Sequence, residues 1–153
     1  MSDVFNTAFE ISLRVLLTLE VANEKRLSTD MIAAADFITV YSRDFGLSTE
    51  NLHGNNSYRF GEFALRRELA KEALKTLVQD GFVYADATKA GFTYHLNERG
   101  QEYAAKFNTK YATHYLEFAR RTHDYLLGMS EREALRQINQ RSVISLRGGD
   151  SDG

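Results

Sequence analysis

The chain has 153 residues, 43% of them hydrophobic, which is enough to bury one core with helical extensions but hardly two. Lysine and arginine number 19 against 21 for aspartate and glutamate, so the net charge of -2 excludes whole-molecule attraction to phosphates, and any nucleic-acid contact needs a local patch. The absence of cysteine excludes disulfides, thiolate zinc sites and cysteine nucleophiles, and fits a reducing compartment; the cytoplasm is the expected location.

Met1 to Phe9 lacks a basic region followed by an apolar run, and Ile11 to Val21 is broken by Ser12, Arg14, Thr18 and Glu20, so neither export nor a membrane span is expected. Thr7 and Glu10 have capping-box spacing, and Phe9 to Ala22 reads as a nearly all-round apolar helix with Ile11, Val15 and Leu19 in line. Ser28, Thr29 and Asp30 offer caps to a second helix, in which Met31, Ala34, Ala35 and Ile38 recur up to about Tyr41. Asp44 to Phe60 is then polar and rich in Gly, Asn and Ser, longer than structureless loops usually run, and reads as a binding loop.

Gly61 to Gln79 returns to helical spacing with Leu65, Leu69, Ala73 and Leu77, and Asp80-Gly81 ends it. Phe82–Ala85 and Phe92–Leu96 are β-prone runs around the segment Asp86 to Gly91, a hairpin with a longer loop. Three helices followed by a hairpin is the order of a winged helix. Asn97 can cap the next helix, Glu98 to Phe107; Tyr111 to Leu127 follows, Gly128 breaks it, and Ser130 with Glu133 opens the last. The expected fold class is mainly α (α+β): a winged-helix domain at 1–108, a C-terminal helical extension at 109–145 packed on it, and a polar, disordered tail at 146–153.

On a helical wheel Leu65, Leu69, Ala70, Ala73, Leu77 and Phe63 share one side of the third helix, with Arg67, Lys71 and Lys75 on another. Such a stripe can neutralise DNA phosphates or read guanine edges. The opposing reading is a solvated face, favoured because Glu62, Glu68, Glu72 and Asp80 balance Arg66, Arg67, Lys71 and Lys75. Glu62 and Arg66 fall at the N-terminal end of the apolar side. They are read either as an intramolecular pair tying down the 44–60 loop or as a surface docked on another subunit, because an unpaired buried charge is costly.

Tyr111, Tyr115, Phe118 and Tyr125 form an aromatic stripe that could grip a partner or stack on bases, although such stripes are more often core. Arg120, Arg121, Arg132, Arg136 and Arg141 could dock on an acidic partner or serve solubility. His53, His95, His114 and His123 lack metal-ligand spacing, so no metal and no cofactor are expected. No phosphate loop, nucleophile elbow, kinase or zincin signature is present, and the expectation is a protein without catalytic residues.

The run Leu52-His53-Gly54, Tyr58-Arg59-Phe60-Gly61-Glu62 and Leu65-Arg66-Arg67-Glu68-Leu69 stands out. With Phe5-Asn6, Glu10-Ile11-x-Leu13-Arg14, Asp36 and Tyr41-Ser42-x-Asp44-Phe45, it resembles the middle component, type 2, of bacterial ABC-three-component systems, the small subunit of Lamassu-type defence complexes. The chain departs from it at Asn55-Asn56-Ser57, where members often carry prolines. The resemblance implies a non-catalytic adaptor bound to a large SMC- or Rad50-like ABC ATPase and a nuclease-type effector, acting against phage or plasmid DNA. On that reading His53, Tyr58, Arg59, Glu62, Arg66 and Arg67 hold the loop and form the partner-binding surface. Two other readings stand beside it: a homodimeric transcription regulator reading DNA with Arg67, Lys71 and Lys75, and a small nuclease using acidic side chains around Asp44.

Overall fold

The computed structural model describes residues 7–53 and 59–147, and its first helix starts where the sequence places it. The Thr7 hydroxyl accepts from the Glu10 amide at 3.2 Å and opens α1, Ala8–Ala22. Ser28 caps α2, Thr29–Val40, in the same way, accepting from the Met31 amide at 3.1 Å. These side-chain oxygens satisfy backbone N–H groups that the first helical turn cannot.

Every residue of α2 from Met31 to Val40 is buried, not only the line of Met31, Ala34, Ala35 and Ile38. The reason is its surroundings: α1, α3 (Phe63–Gln79), α5 (Lys110–Leu126) and α6 (Glu131–Arg147) all pack on it. Ala33, Ala34 and Ala35 keep the helix narrow enough for that approach. Phe37, fully buried, meets Tyr41 and Phe63 edge-on at centroid separations of 5.1 and 5.6 Å. Burying one such ring stabilises the fold by roughly 1.5–3 kcal/mol.

The described part of the polar segment after α2 is held by hydrogen bonds. Ser42–Phe45 forms a 3-10 turn, the Asn51 carboxamide accepts from the Arg43 amide at 2.8 Å, and the His53 amide donates to the Val40 carbonyl at 3.3 Å. A second 3-10 turn, Arg59–Glu62, leads into α3. In α3, Arg66, Ala70, Ala73 and Leu77 are buried as the wheel has them, but Leu74 is buried too and Leu65 is 57% exposed. The core face is centred one residue further on, because Arg66 has a partner inside.

Among the described residues one antiparallel sheet is present, in the order β1-β3-β2: β1 is Leu27–Ser28, β2 is Val83–Thr88 and β3 is Gly91–Leu96. The hairpin turn is shorter than expected, since Thr88 pairs with Gly91 and only Lys89 and Ala90 connect the strands. Gly91, at φ +121°, takes a conformation that other residues avoid. The two-residue β1 is too short to read from sequence. Asn97 caps α4, Glu98–Ala105, accepting from the Gly100 amide at 2.7 Å while its own amide group donates to the Gly81 carbonyl at 2.7 Å.

The fold is thus mainly helical α+β, with six helices and a three-stranded sheet among the described residues. α5 and α6 supply Ala112, Tyr115, Ala119, Leu126, Ala134 and Ile138 to the same core as α1–α3. The Glu133 amide donates to the Ser130 hydroxyl at 3.2 Å, and α6 then runs to Arg147, taking in Leu146 and Arg147 of the expected tail. The rest of that tail lies outside the described residues. No helix among the described residues is long and apolar enough to cross a membrane.

Candidate functional site

Four helices meet at one carboxylate. Asp36 in α2 is buried, and its Oδ1 accepts from Arg14 Nε of α1 at 2.9 Å and from the Tyr115 hydroxyl of α5 at 2.6 Å. Its Oδ2 lies 3.4 Å from Arg66 Nη1 of α3. Arg14 is 1% and Arg66 5% exposed, so both guanidiniums are out of water. Two buried cations on one anion are tolerable only with further acceptors. Arg14 also hydrogen-bonds the Tyr111 hydroxyl, and Arg66 lies over the Tyr41 ring at 5.5 Å, whose hydroxyl donates to Glu62 Oε2 at 3.2 Å.

His53 joins the expected binding loop to this cluster. Its Nδ1 lies 3.4 Å from Arg66 Nη2 and its Nε2 2.7 Å from the Tyr111 hydroxyl. An arginine can only donate, so Nδ1 is the acceptor and Nε2 carries the proton toward Tyr111.

Burial pushes the Asp36 carboxyl up, but Arg14, Arg66 and the Tyr115 hydroxyl outweigh it and hold it below the usual carboxylate range. Burial, reinforced by Arg14 and Arg66, takes His53 down to about 3. Burial raises Tyr41 and Tyr111 to about 12 and Tyr115 well above its ordinary value. Near neutral pH the cluster therefore holds one charge pattern: carboxylate ionised, imidazole and phenols neutral.

A pH dependence follows from His53. In the unfolded chain its imidazole takes up a proton near pH 6.5, in the folded protein only near 3. Between those values the unfolded state binds the extra proton, so stability falls as pH is lowered, by about 1 kcal/mol per unit. Urea unfolding of wild type and His53→Gln at pH 7, 6 and 5 is expected to give a steeper loss for wild type. Parallel losses would show that His53 is not held neutral.

The candidate site residues divide. The structure brings His53, Glu62 and Arg66 together, and Arg66 faces inward toward Asp36 while keeping the loop end in reach through His53. Arg67 stays at the surface, 2.9 Å from Asp30 and over the Phe63 ring at 5.5 Å. Lys71 and Lys75 are exposed on the same flank of α3. Arg59 opens the 3-10 turn, and Tyr58 lies outside the described residues.

The aromatic stripe is core: Tyr115 and Phe118 are buried, and Tyr111 is half-buried against His53. Arg121 pairs with Glu117 at 2.7 Å, and Arg141 covers Phe45 at 5.8 Å; Arg120, Arg132 and Arg136 are exposed. Among the described residues no group of three or more His, Cys, Asp or Glu is placed to hold a metal, Asp44 included.

Arg14, Asp36 and Tyr115 were not legible as site residues from spacing. Their signal was a charge in the middle of each of two apolar helices, Arg14 and Asp36, which must find each other.

The family model for the ABC-three component (ABC-3C) system Middle Component 2 aligns with residues 4–147. No curated protein and no solved structure matches the chain.

Proposed function

The chain belongs to the Middle Component 2 family of ABC-three component systems, which are bacterial defence systems, and from that membership we propose that it is a non-catalytic adaptor. In this reading it joins an SMC- or Rad50-like ABC ATPase to a nuclease-type effector in a Lamassu-type complex directed at phage or plasmid DNA. The observation that carries it is the inward-facing cluster. The charged residues of the resemblance, Arg14, Asp36 and Arg66, bind α1, α2, α3 and α5 to one another, which suits a rigid connecting piece.

The order α1, β1, α2, α3, β2, β3, with β1 pairing with β3, supports reading the first part of the chain as a winged-helix module. In a DNA-binding winged helix α3 would present a basic face. Here Arg67 of that face is paired with Asp30, leaving Lys71 and Lys75, and phosphate affinity grows with the number of uncompensated cations. That favours a protein partner over naked DNA.

Co-expression with the proteins encoded beside it tests the reading. Stoichiometric co-purification with a large ATPase is expected, with weak or no DNA binding by the isolated chain. Tight, steeply salt-dependent binding of the isolated chain to a palindromic site would replace the adaptor with a transcription regulator. Divalent-metal-dependent cleavage of DNA by the isolated chain would replace it with a nuclease.

A further inference from the structure

A groove runs between α1 and α3. It comprises two adjoining cavities of about 230 and 210 Å³ that share Ala8, Ser12 and Thr76 in their linings. Leu16, Ala73 and Leu77 floor it, and Phe82, Tyr103 and Phe107 wall one end. The rings of that wall are fixed by their own contacts: Phe82 stacks on Tyr103 at 4.5 Å, and Tyr103 meets Phe107 edge-on at 5.1 Å.

Two large apolar side chains that the core leaves in water flank this groove. Phe9, 57% exposed, lines it from α1, 6.0 Å from the Phe107 ring. Leu65, also 57% exposed, precedes Leu69 and Glu72 by four and seven residues, which puts it on the groove side of α3. Exposed apolar residues gathered along a concave surface mark an interaction site more than scattered ones do.

Charge gives the partner its character. Of the residues lining the two cavities only Glu72 and Asp80 are charged, and neither Lys71 nor Lys75 is among them. An apolar floor under an acidic rim suits an apolar stripe edged with cations. The distance from Leu65 to Asp80 along α3 is about 22 Å, matching a partner helix of about 15 residues.

We propose that this groove receives an amphipathic helix of a partner subunit, its apolar residues on the floor and its Lys or Arg residues beside Glu72 and Asp80. The proposal rests on the adaptor reading and adds to it the surface and the chemistry of what docks there. It uses a different face of the protein from the His53–Arg66 cluster. The mode is that of a helix laid in a hydrophobic groove.

The test uses the complex assembled by co-expression, with the photo-cross-linking residue p-benzoylphenylalanine at exposed Thr76. A cross-link to a basic amphipathic helix of another subunit is expected. A cross-link to a second copy of this chain, to its own residues 1–6, or to an acidic segment would overturn the proposal, as would an assembled complex with no cross-link. In parallel, Glu72→Lys with Asp80→Lys is expected to lower partner recovery at least tenfold with the thermal unfolding of the isolated chain unchanged. Recovery within twofold of wild type would count against the groove. Failure of the wild-type chain to assemble would remove the adaptor reading itself, and with it this proposal, before any groove residue is altered.

Discussion

Asp36→Ala is expected to destabilise the protein by roughly 3–5 kcal/mol, a large part of the 5–15 kcal/mol typical of a whole domain. The substitution leaves two guanidiniums, of Arg14 and Arg66, inside the helix bundle without their shared anion. It also removes the acceptor of the Tyr115 hydroxyl. Much of the loss comes from the uncompensated charges and less from the bonds themselves. Replacing all three charged residues by apolar ones of similar volume, as in Arg14→Met, Asp36→Leu and Arg66→Met together, should therefore recover most of it. Denaturant midpoints for the single and triple variants decide the matter: an Asp36→Ala protein within about 1 kcal/mol of wild type would show the cluster to be energetically idle.

Gly100→Ala should cost about 3 kcal/mol or more, at the upper end of what overpacking does. A Cβ on Gly100 would stand 2.1 Å from the Phe82 carbonyl oxygen and 3.0 Å from its carbon, both backbone atoms that cannot rotate away. The close approach is built by Asn97, whose side chain caps α4 and whose amide donates to that same Phe82 carbonyl at 3.1 Å. Gly61→Ala is the control, since a Cβ there meets nothing within 4 Å; its stability should stay within about 0.5 kcal/mol of wild type. Thermal unfolding of the two variants side by side reads the difference. Equal melting temperatures would mean that α4 can shift away from the hairpin without loss.

Much of the chain's organisation was legible because it is written locally. Thr7, Ser28, Asn97 and Ser130 cap the helices that their spacing announces, since a cap needs only its own side chain and an amide two or three residues on. The hairpin was legible for the same reason, though its turn is shorter than its polar composition suggested. The phase of α3 was not. The wheel put Leu65 inside, with Arg66 near it at the helix start, and here Leu65 is exposed while Arg66 is buried. The residue responsible, Asp36, is on another helix, and nothing within α3 points to it. Of the site, the pattern around His53, Glu62 and Arg66 marked one end of the cluster, while the convergence of Arg14, Asp36 and Tyr115 depends on how helices distant in sequence are packed.

The enclosure of α2 bears on how the protein is made. The helix is buried on every side, and two of the four helices that cover it, α5 and α6, come after the hairpin. Lys110 leaves the ribosome about seventy residues after Val40, roughly 4–14 seconds later at ordinary rates of translation. Over that interval a nascent chain carries a helix with one flank bare, and Asp36 without Tyr115. A chain ending before α5 is expected to leave that flank of α2 in water and to aggregate, instead of folding as a smaller module.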